Sequence, residues 1–124
     1  MNSYQDLVVW QRSMDLAVVC YELTRRFPKE EIYGLVSQIR RSAASVAANI
    51  AEGYGRDATG AYVQHLKIAQ GSLKELETHL ILSTRVGIIG LAEIQPAMSL
   101  GDEVGKMLRS LIRRLQDGRN GNEN

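Results

Sequence analysis

Residues that stabilise small secreted domains or ligate metals are scarce in this chain. There is one cysteine, Cys20, and there are two histidines. A single cysteine cannot form an intramolecular disulfide, which is expected of a protein in the reducing cytoplasm. No apolar run approaches the ~18 residues of a membrane span. Residues 1–10 have no basic start and contain Asp6, so we expect neither a secretory signal nor a membrane anchor.

The chain also lacks a large excess of charge of either sign. The formal net charge is +1 over 124 residues, so composition alone makes no case for a nucleic-acid partner. Any such case depends on where the charges lie. The length fits one domain, and the hydrophobic fraction of 44% is enough to build a core without disulfides or metals.

Strand-like alternation is absent, whereas apolar residues recur at spacings of three and four. Breakers interrupt this pattern at 27–29, 53–60 and 87–90, and Gly53 is placed to end the second segment in a left-handed conformation. The segments that we expect to be helical are 6–26, 29–52, 61–86 and 91–115.

Four long helices with short connections predict an all-α, antiparallel up-down four-helix bundle over residues 1–116. Residues 117–124 are polar and are expected to form a flexible tail. The residues expected in the core are Trp10, Ile39, Val46, Leu66, Leu73, Leu76, Leu108 and Leu111.

The second helical segment lacks a charged side in its middle. Ten consecutive residues, 42–51, carry no charge and cover every side of a helix. One interpretation is tight packing inside the bundle, because alanine lets a neighbouring helix approach closely. The other is burial against a second copy, which leads us to expect a ring-like homo-oligomer. The predicted interface residues are Gln38, Arg41, Ser42, Ser45, Ala48, Asn49 and Glu52.

Catalytic and metal-binding patterns are not found. Glu75 and His79 share a helix side, but no second metal-ligand motif accompanies them. Cys20 lies in an apolar stripe and is expected in the core. The Gly53-x-Gly55 pair follows a helix, so it is not a nucleotide fingerprint. We therefore predict no catalytic residue, no metal, no cofactor and no enzyme activity.

Basic residues carry the remaining functional signal, because several should gather at one end of an up-down bundle. Some of them could simply complement helix C-termini. If the protein binds RNA or DNA, we expect salt-sensitive contacts to phosphates with little base preference. The candidate nucleic-acid contacts are Arg12, Arg56, Arg109, Arg113 and Arg114.

Several ordered motifs resemble those of the 23S rRNA intervening-sequence protein family. The most specific is residues 49–56, Asn-Ile-Ala-Glu-Gly-Tyr-Gly-Arg. Residues 7–11, 33–42 and 69–77 continue the pattern. The third helix departs from it, because Ala58 stands where the family often has a capping serine. Asp57 or Thr59 would then have to cap that helix.

The resemblance implies a small cytosolic four-helix bundle. A related branch comprises the accessory proteins of diversity-generating retroelements, which form five-subunit barrels. We therefore expect this chain to form a homopentamer. Its candidate partners are further copies of itself and RNA or DNA. The alternative is a protein-only assembly or recruitment module that binds another protein and never contacts nucleic acid.

Overall fold

The computed structural model describes the backbone of residues 3–123 and the side chains of residues 3–118. Two short 3-10 turns, Tyr4–Asp6 and Lys29–Glu31, precede the first two helices. No strand occurs within residues 3–123, so the predicted all-α fold with four helices is confirmed. The helices are α1 Val8–Thr24, α2 Leu35–Tyr54, α3 Thr59–Arg85 and α4 Leu91–Glu123.

Each helix packs against the one that follows it, and α4 closes the bundle against α1. The contact between α2 and α3 is the most extensive. Ser45 hydrogen-bonds Ser72, and Asn49 hydrogen-bonds His65, so α2 and α3 run antiparallel. Because neighbours alternate in direction, α1 and α3 lie on one diagonal and point the same way.

Local hydrogen bonds explain where several elements begin and end. The Ser3 hydroxyl accepts from the amide of Gln5, and the Asp6 carboxylate accepts from the amide of Ser3. The Glu93 carboxylate likewise accepts from the amide of Gly90 at the start of α4. These acceptors satisfy amides that have no partner inside a helix.

Gly87 sets the turn between α3 and α4. Among residues 3–123, Gly87 alone has a positive φ, of 81°. Glycine adopts this region without steric cost. The amides of Ile88 and Ile89 then turn back to the Ser83 carbonyl oxygen. The chain can therefore reverse direction within a few residues.

The core matches the sequence pattern closely. Trp10 and Leu111 are only partly buried and pack at its edge. The predicted core residues that are fully enclosed are Ile39, Val46, Leu66, Leu73, Leu76 and Leu108.

Several predicted helix ends differ from the structure. The prediction for Gly53 is wrong: α2 continues through it to Tyr54, and its φ is not positive. Ala58 occupies the N-cap of α3 and no side chain caps it, so neither Asp57 nor Thr59 has that role. A tertiary contact explains the glycine instead, because a Cβ at Gly53 would stand 2.8 Å from the Cβ of His65 on α3.

The end of α4 lies beyond the predicted boundary. Its backbone continues through 117–123. Asn124 and the side chains of 119–123 lie outside the described residues, so the mobility expected for 117–124 stays a prediction.

Cys20 is fully enclosed, and burial raises the pKa of its thiol to about 12. Since the thiolate is the reactive form, we expect the native protein to react negligibly with a thiol reagent at pH 8. Unfolding in guanidinium should release one reactive thiol per chain. Rapid modification under native conditions would contradict the enclosed position of Cys20.

Candidate functional site

The C-terminal half of α4 presents a basic surface. Lys106, Arg109, Arg113 and Arg114 are all exposed, and we call them the α4 basic face. No acidic residue occurs in residues 104–116. Among the described side chains, none of the four has an ion-pair partner, whereas Arg26 is paired with Glu93 at 3.0 Å. Their charge is therefore available to an external anion.

Two grooves border this face. The groove between α3 and α4 has a volume of about 340 Å³, and its floor includes the glycines Gly101 and Gly105. The Arg109 guanidinium lies over this floor, 3.6 Å from where a Cβ on Gly105 would stand. A second groove lies between α4 and the start of α1, and Lys106 lines both. The face thus borders concave surface, and Glu77 and Asp102 line the α3–α4 groove beside the cations.

Arg12 differs from the other predicted nucleic-acid contacts. Its guanidinium donates two hydrogen bonds to the Glu103 carboxylate, at 3.1 and 2.9 Å. It also donates one to Asp15 at 2.8 Å. The hydrogen bonding between Arg12 and Glu103 raises the pKa of Arg12 and lowers the pKa of Glu103. Arg12 therefore joins α1 to α4, and its charge is neutralised within the chain.

Arg56 lies just past α2, at the bundle end where α4 finishes. Tyr54 and Tyr62 meet edge to face there, with ring centroids 6.2 Å apart. Burial raises the pKa of Tyr62, and the charge of Arg114 acts in the opposite direction on the same hydroxyl. The structure therefore brings Arg109, Arg113 and Arg114 together on α4, with Arg56 at the same end.

Lys106 was not predicted as a contact, although it belongs to the same face. The signal that could have identified it is the acid-free stretch 104–116. Lys106 and Arg113 are seven residues apart, which puts them on one helix side. The predicted contacts are arginines expected near one end of the bundle, and Lys106 is not among them.

The predicted α2 interface is divided in the structure. Ser42 is buried and its hydroxyl donates to the Gln38 carbonyl at 2.8 Å. Ser45 and Asn49 are partly buried and hydrogen-bond Ser72 and His65 of α3. These hydroxyls and the amide are already satisfied within one chain, which agrees with the tight-packing interpretation for this side of α2. The predicted residues that remain exposed are Gln38, Arg41, Ala48 and Glu52.

An apolar surface lies instead where α1 meets α2. Met14, Val18 and Tyr21 are exposed along α1 and border a groove of about 410 Å³ whose α2 wall is Ala44. Arg40 lies over the Tyr21 ring, 4.6 Å from its centroid. The uncharged stretch of α2 therefore continues an apolar surface of α1.

The two histidines lie apart, each beside one glutamate. His79 Nε2 lies 3.7 Å from Glu75, and His65 Nδ1 lies 3.7 Å from Glu52. No group of three or more histidine, cysteine, aspartate or glutamate side chains is placed to hold a metal ion in the described part of the chain. Within that same part, no helix has the length and apolarity needed to cross a membrane.

Comparison with known proteins finds similarity over most of the chain. Residues 5–110 match the family model described as 23S rRNA-intervening sequence protein. A solved structure from Bacteroides thetaiotaomicron, a protein of unknown function from the S23 ribosomal protein family, is similar to this chain with a TM-score of 0.76 and 27% identity. The similarity covers 85% of this chain and 98% of that one. The chain matches no curated protein.

Proposed function

Given that the chain belongs to the 23S rRNA-intervening sequence protein family, we propose that it is a non-enzymatic, cytoplasmic, homo-oligomeric scaffold that binds RNA or DNA through the α4 basic face. Five subunits are the number that the resemblance implies. The lone cysteine, enclosed and unpaired, supports the cytoplasmic assignment.

The observation that supports nucleic-acid binding is the set of unpaired cations on α4. Several other cations, such as Lys29 and Arg85, have no ion pair in the described part of the chain either, but α4 alone carries four such cations with no acidic residue over 104–116. A row of cations at helical spacing next to a groove can follow a phosphate backbone, and releasing counterions drives such binding. In an oligomer the face would be repeated, which strengthens the local field.

Self-association is supported by the apolar surface of α1 and Ala44. Val18, at the centre of this surface, is 53% exposed. Exposed apolar residues that cluster beside a groove are typical of protein contacts. A cyclic scaffold would use this surface to join copies and leave α4 free for the nucleic acid.

The test is a titration of fluorescent single-stranded RNA at 50 and 200 mM salt. The double variant Arg109→Glu/Arg113→Glu should bind at least about 100-fold more weakly than the wild type at low salt. Because two phosphate contacts are lost, the slope of log affinity against log salt should decrease by about 1.4. Different base sequences should bind with similar affinity.

The matched control is Lys29→Glu/Arg85→Glu, which changes the net charge equally at the opposite end of the bundle. It should reduce binding by only about 3-fold, through the long-range field. An equal loss in both variants would mean that the α4 face is not the site. No binding by the wild type at 50 mM salt would exclude nucleic acid as the partner.

A protein-only recruitment module is the second candidate, and one observation favours it. Tyr33 is 95% exposed beside Ile32, in the connection between α1 and α2. Val86 and Leu91, in and after the α3–α4 turn, are exposed at that same end. Exposed aromatic and aliphatic side chains at one end are suited to docking another protein. Replacing Tyr33 and Ile32 with serine should leave RNA binding unchanged.

A further inference from the structure

The outward side of α1 has two different flanks on either side of Val18. At about 100° per residue, Met14 and Tyr21 lie on the flank toward α2, where they border the groove with Ala44. The other flank points toward α4. Arg12 lies further round α1 on that side, and it hydrogen-bonds Glu103 of α4. We call this surface the α1 face. Its acidic flank consists of Asp15 and Glu22, and Glu22 lies close enough to Val18 to line the groove with Ala44 as well.

The outward side of α3 is centred on a glycine that the chain itself does not require. Gly71 is exposed, its φ is not positive, and a Cβ built on it would meet nothing within 4 Å. Glycine weakens a helix relative to alanine. Its advantage here is that another helix can approach the backbone. Ile68, 44% exposed, lies one turn away.

The flanks of α3 also differ. Glu75 lies on the side toward α2, where it borders a groove with Gln38. Lys74 lies on the side toward α4, in the groove with Gly101. Lys67 is seven residues before Lys74 and so shares its flank. We call Lys67, Ile68, Gly71, Lys74 and Glu75 the α3 face.

The two faces are complementary when the helices run parallel with Val18 opposite Gly71. Parallel helices bring opposite flanks together, so the acidic flank of α1 meets the basic flank of α3. Asp15 and Glu22 are seven residues apart, as are Lys67 and Lys74. That spacing is about 10.5 Å along both axes, so both ion pairs can form at once.

The remaining flanks fit in the same register. Met14 meets Ile68, and the Tyr21 hydroxyl can donate to the Glu75 carboxylate. An antiparallel contact would instead bring Asp15 toward Glu75, where like charges repel. Asp15 and Lys74 are themselves well exposed, so their existing ion pairs are weak. Arg12 keeps Glu103 if Asp15 changes partner.

We infer that the α1 face docks on the α3 face of a second copy of this chain. The inference rests on the proposed self-association and adds its surfaces and register. Since α1 and α3 point the same way in each bundle, copies related by rotation about an axis along the helices meet in parallel. Two different faces joined head to tail close into a ring. The flanks toward α4 then meet each other, so every α4 basic face lies on one side of the ring.

The test is charge reversal followed by restoration, read as mass by light scattering. Asp15→Lys/Glu22→Lys makes both faces basic, and Lys67→Glu/Lys74→Glu makes both acidic. Each double variant should fall to the monomer mass of 13.8 kDa. The quadruple variant reverses both faces, so it should recover the wild-type mass. Mixing the two double variants should also produce complexes, which covers the case that the quadruple variant does not fold.

The control is Glu30→Lys/Asp57→Lys, which reverses two exposed acidic residues outside both faces and should keep the wild-type mass. If the wild type is oligomeric and either double variant remains so, the α1–α3 contact is wrong while self-association stands. The contact is equally wrong if both doubles are folded monomers that neither mixing nor the quadruple change reassembles. A wild-type mass of 13.8 kDa would overturn self-association itself.

Discussion

Leu73→Ala should lower the free energy of unfolding by about 3–4 kcal/mol. Leu73 is 2% exposed on α3, and its methyl groups lie against Gly101 and Gly105 of α4, 3.5 and 3.4 Å from where a Cβ would be built on each. Because those positions have no side chain, α4 has little with which to fill the space that the leucine leaves. Chemical denaturation at one fixed protein concentration measures the change, since association would otherwise shift it.

The matched control is Val63→Ala compared with Val86→Ala, one buried and one exposed valine. The buried change should cost about 1–2 kcal/mol and the exposed change less than about 0.5 kcal/mol. A loss below about 1 kcal/mol for Leu73→Ala would mean that α3 and α4 do not pack as described.

Gly53→Val should destabilise the bundle by about 3 kcal/mol. A Cβ at this position would stand 2.8 Å from the His65 Cβ and 3.2 Å from the Tyr62 carbonyl oxygen. Neither is the end of a flexible side chain, so α2 and α3 must separate. The better helix propensity of valine offsets less than about 1 kcal/mol of this cost. Thermal unfolding should show a fall in Tm of more than about 10 °C.

Gly118→Val provides the comparison, because a Cβ on Gly118 would meet nothing within 4 Å. It should change the free energy of unfolding by less than about 0.5 kcal/mol. Equal effects at the two glycines would show that helix propensity, and not the α2–α3 approach, determines the result at Gly53.

Most residues of the α4 basic face could be predicted from sequence. Which of the predicted arginines have a carboxylate partner could not. Arg109, Arg113 and Arg114 follow from helical spacing alone. Arg12 is predicted as a contact on the same grounds, yet it is paired with Glu103, which is 91 residues away in the chain. Local sequence contains no information on such a pair. The distinction between a free and a neutralised arginine depends on which helices are neighbours.

The predicted α2 interface illustrates the same limit. Its period separates polar residues from the core-facing Val46 and Ile50. It does not distinguish the side toward α3 from the side toward solvent. In the structure Ser45 and Asn49 bond α3, whereas Ala48 is exposed. The Ser42 hydroxyl is satisfied within α2 itself.

The sequence by itself determined the four helices and most of the core, because each apolar stripe marks the side of a helix that must leave water. Only the tertiary structure decided the role of Gly53, the pairing of Arg12 and the outward position of Gly71. The physical reason is that periodicity orients a residue relative to its own helix. Which group lies opposite, and at what distance, depends on how the helices pack together.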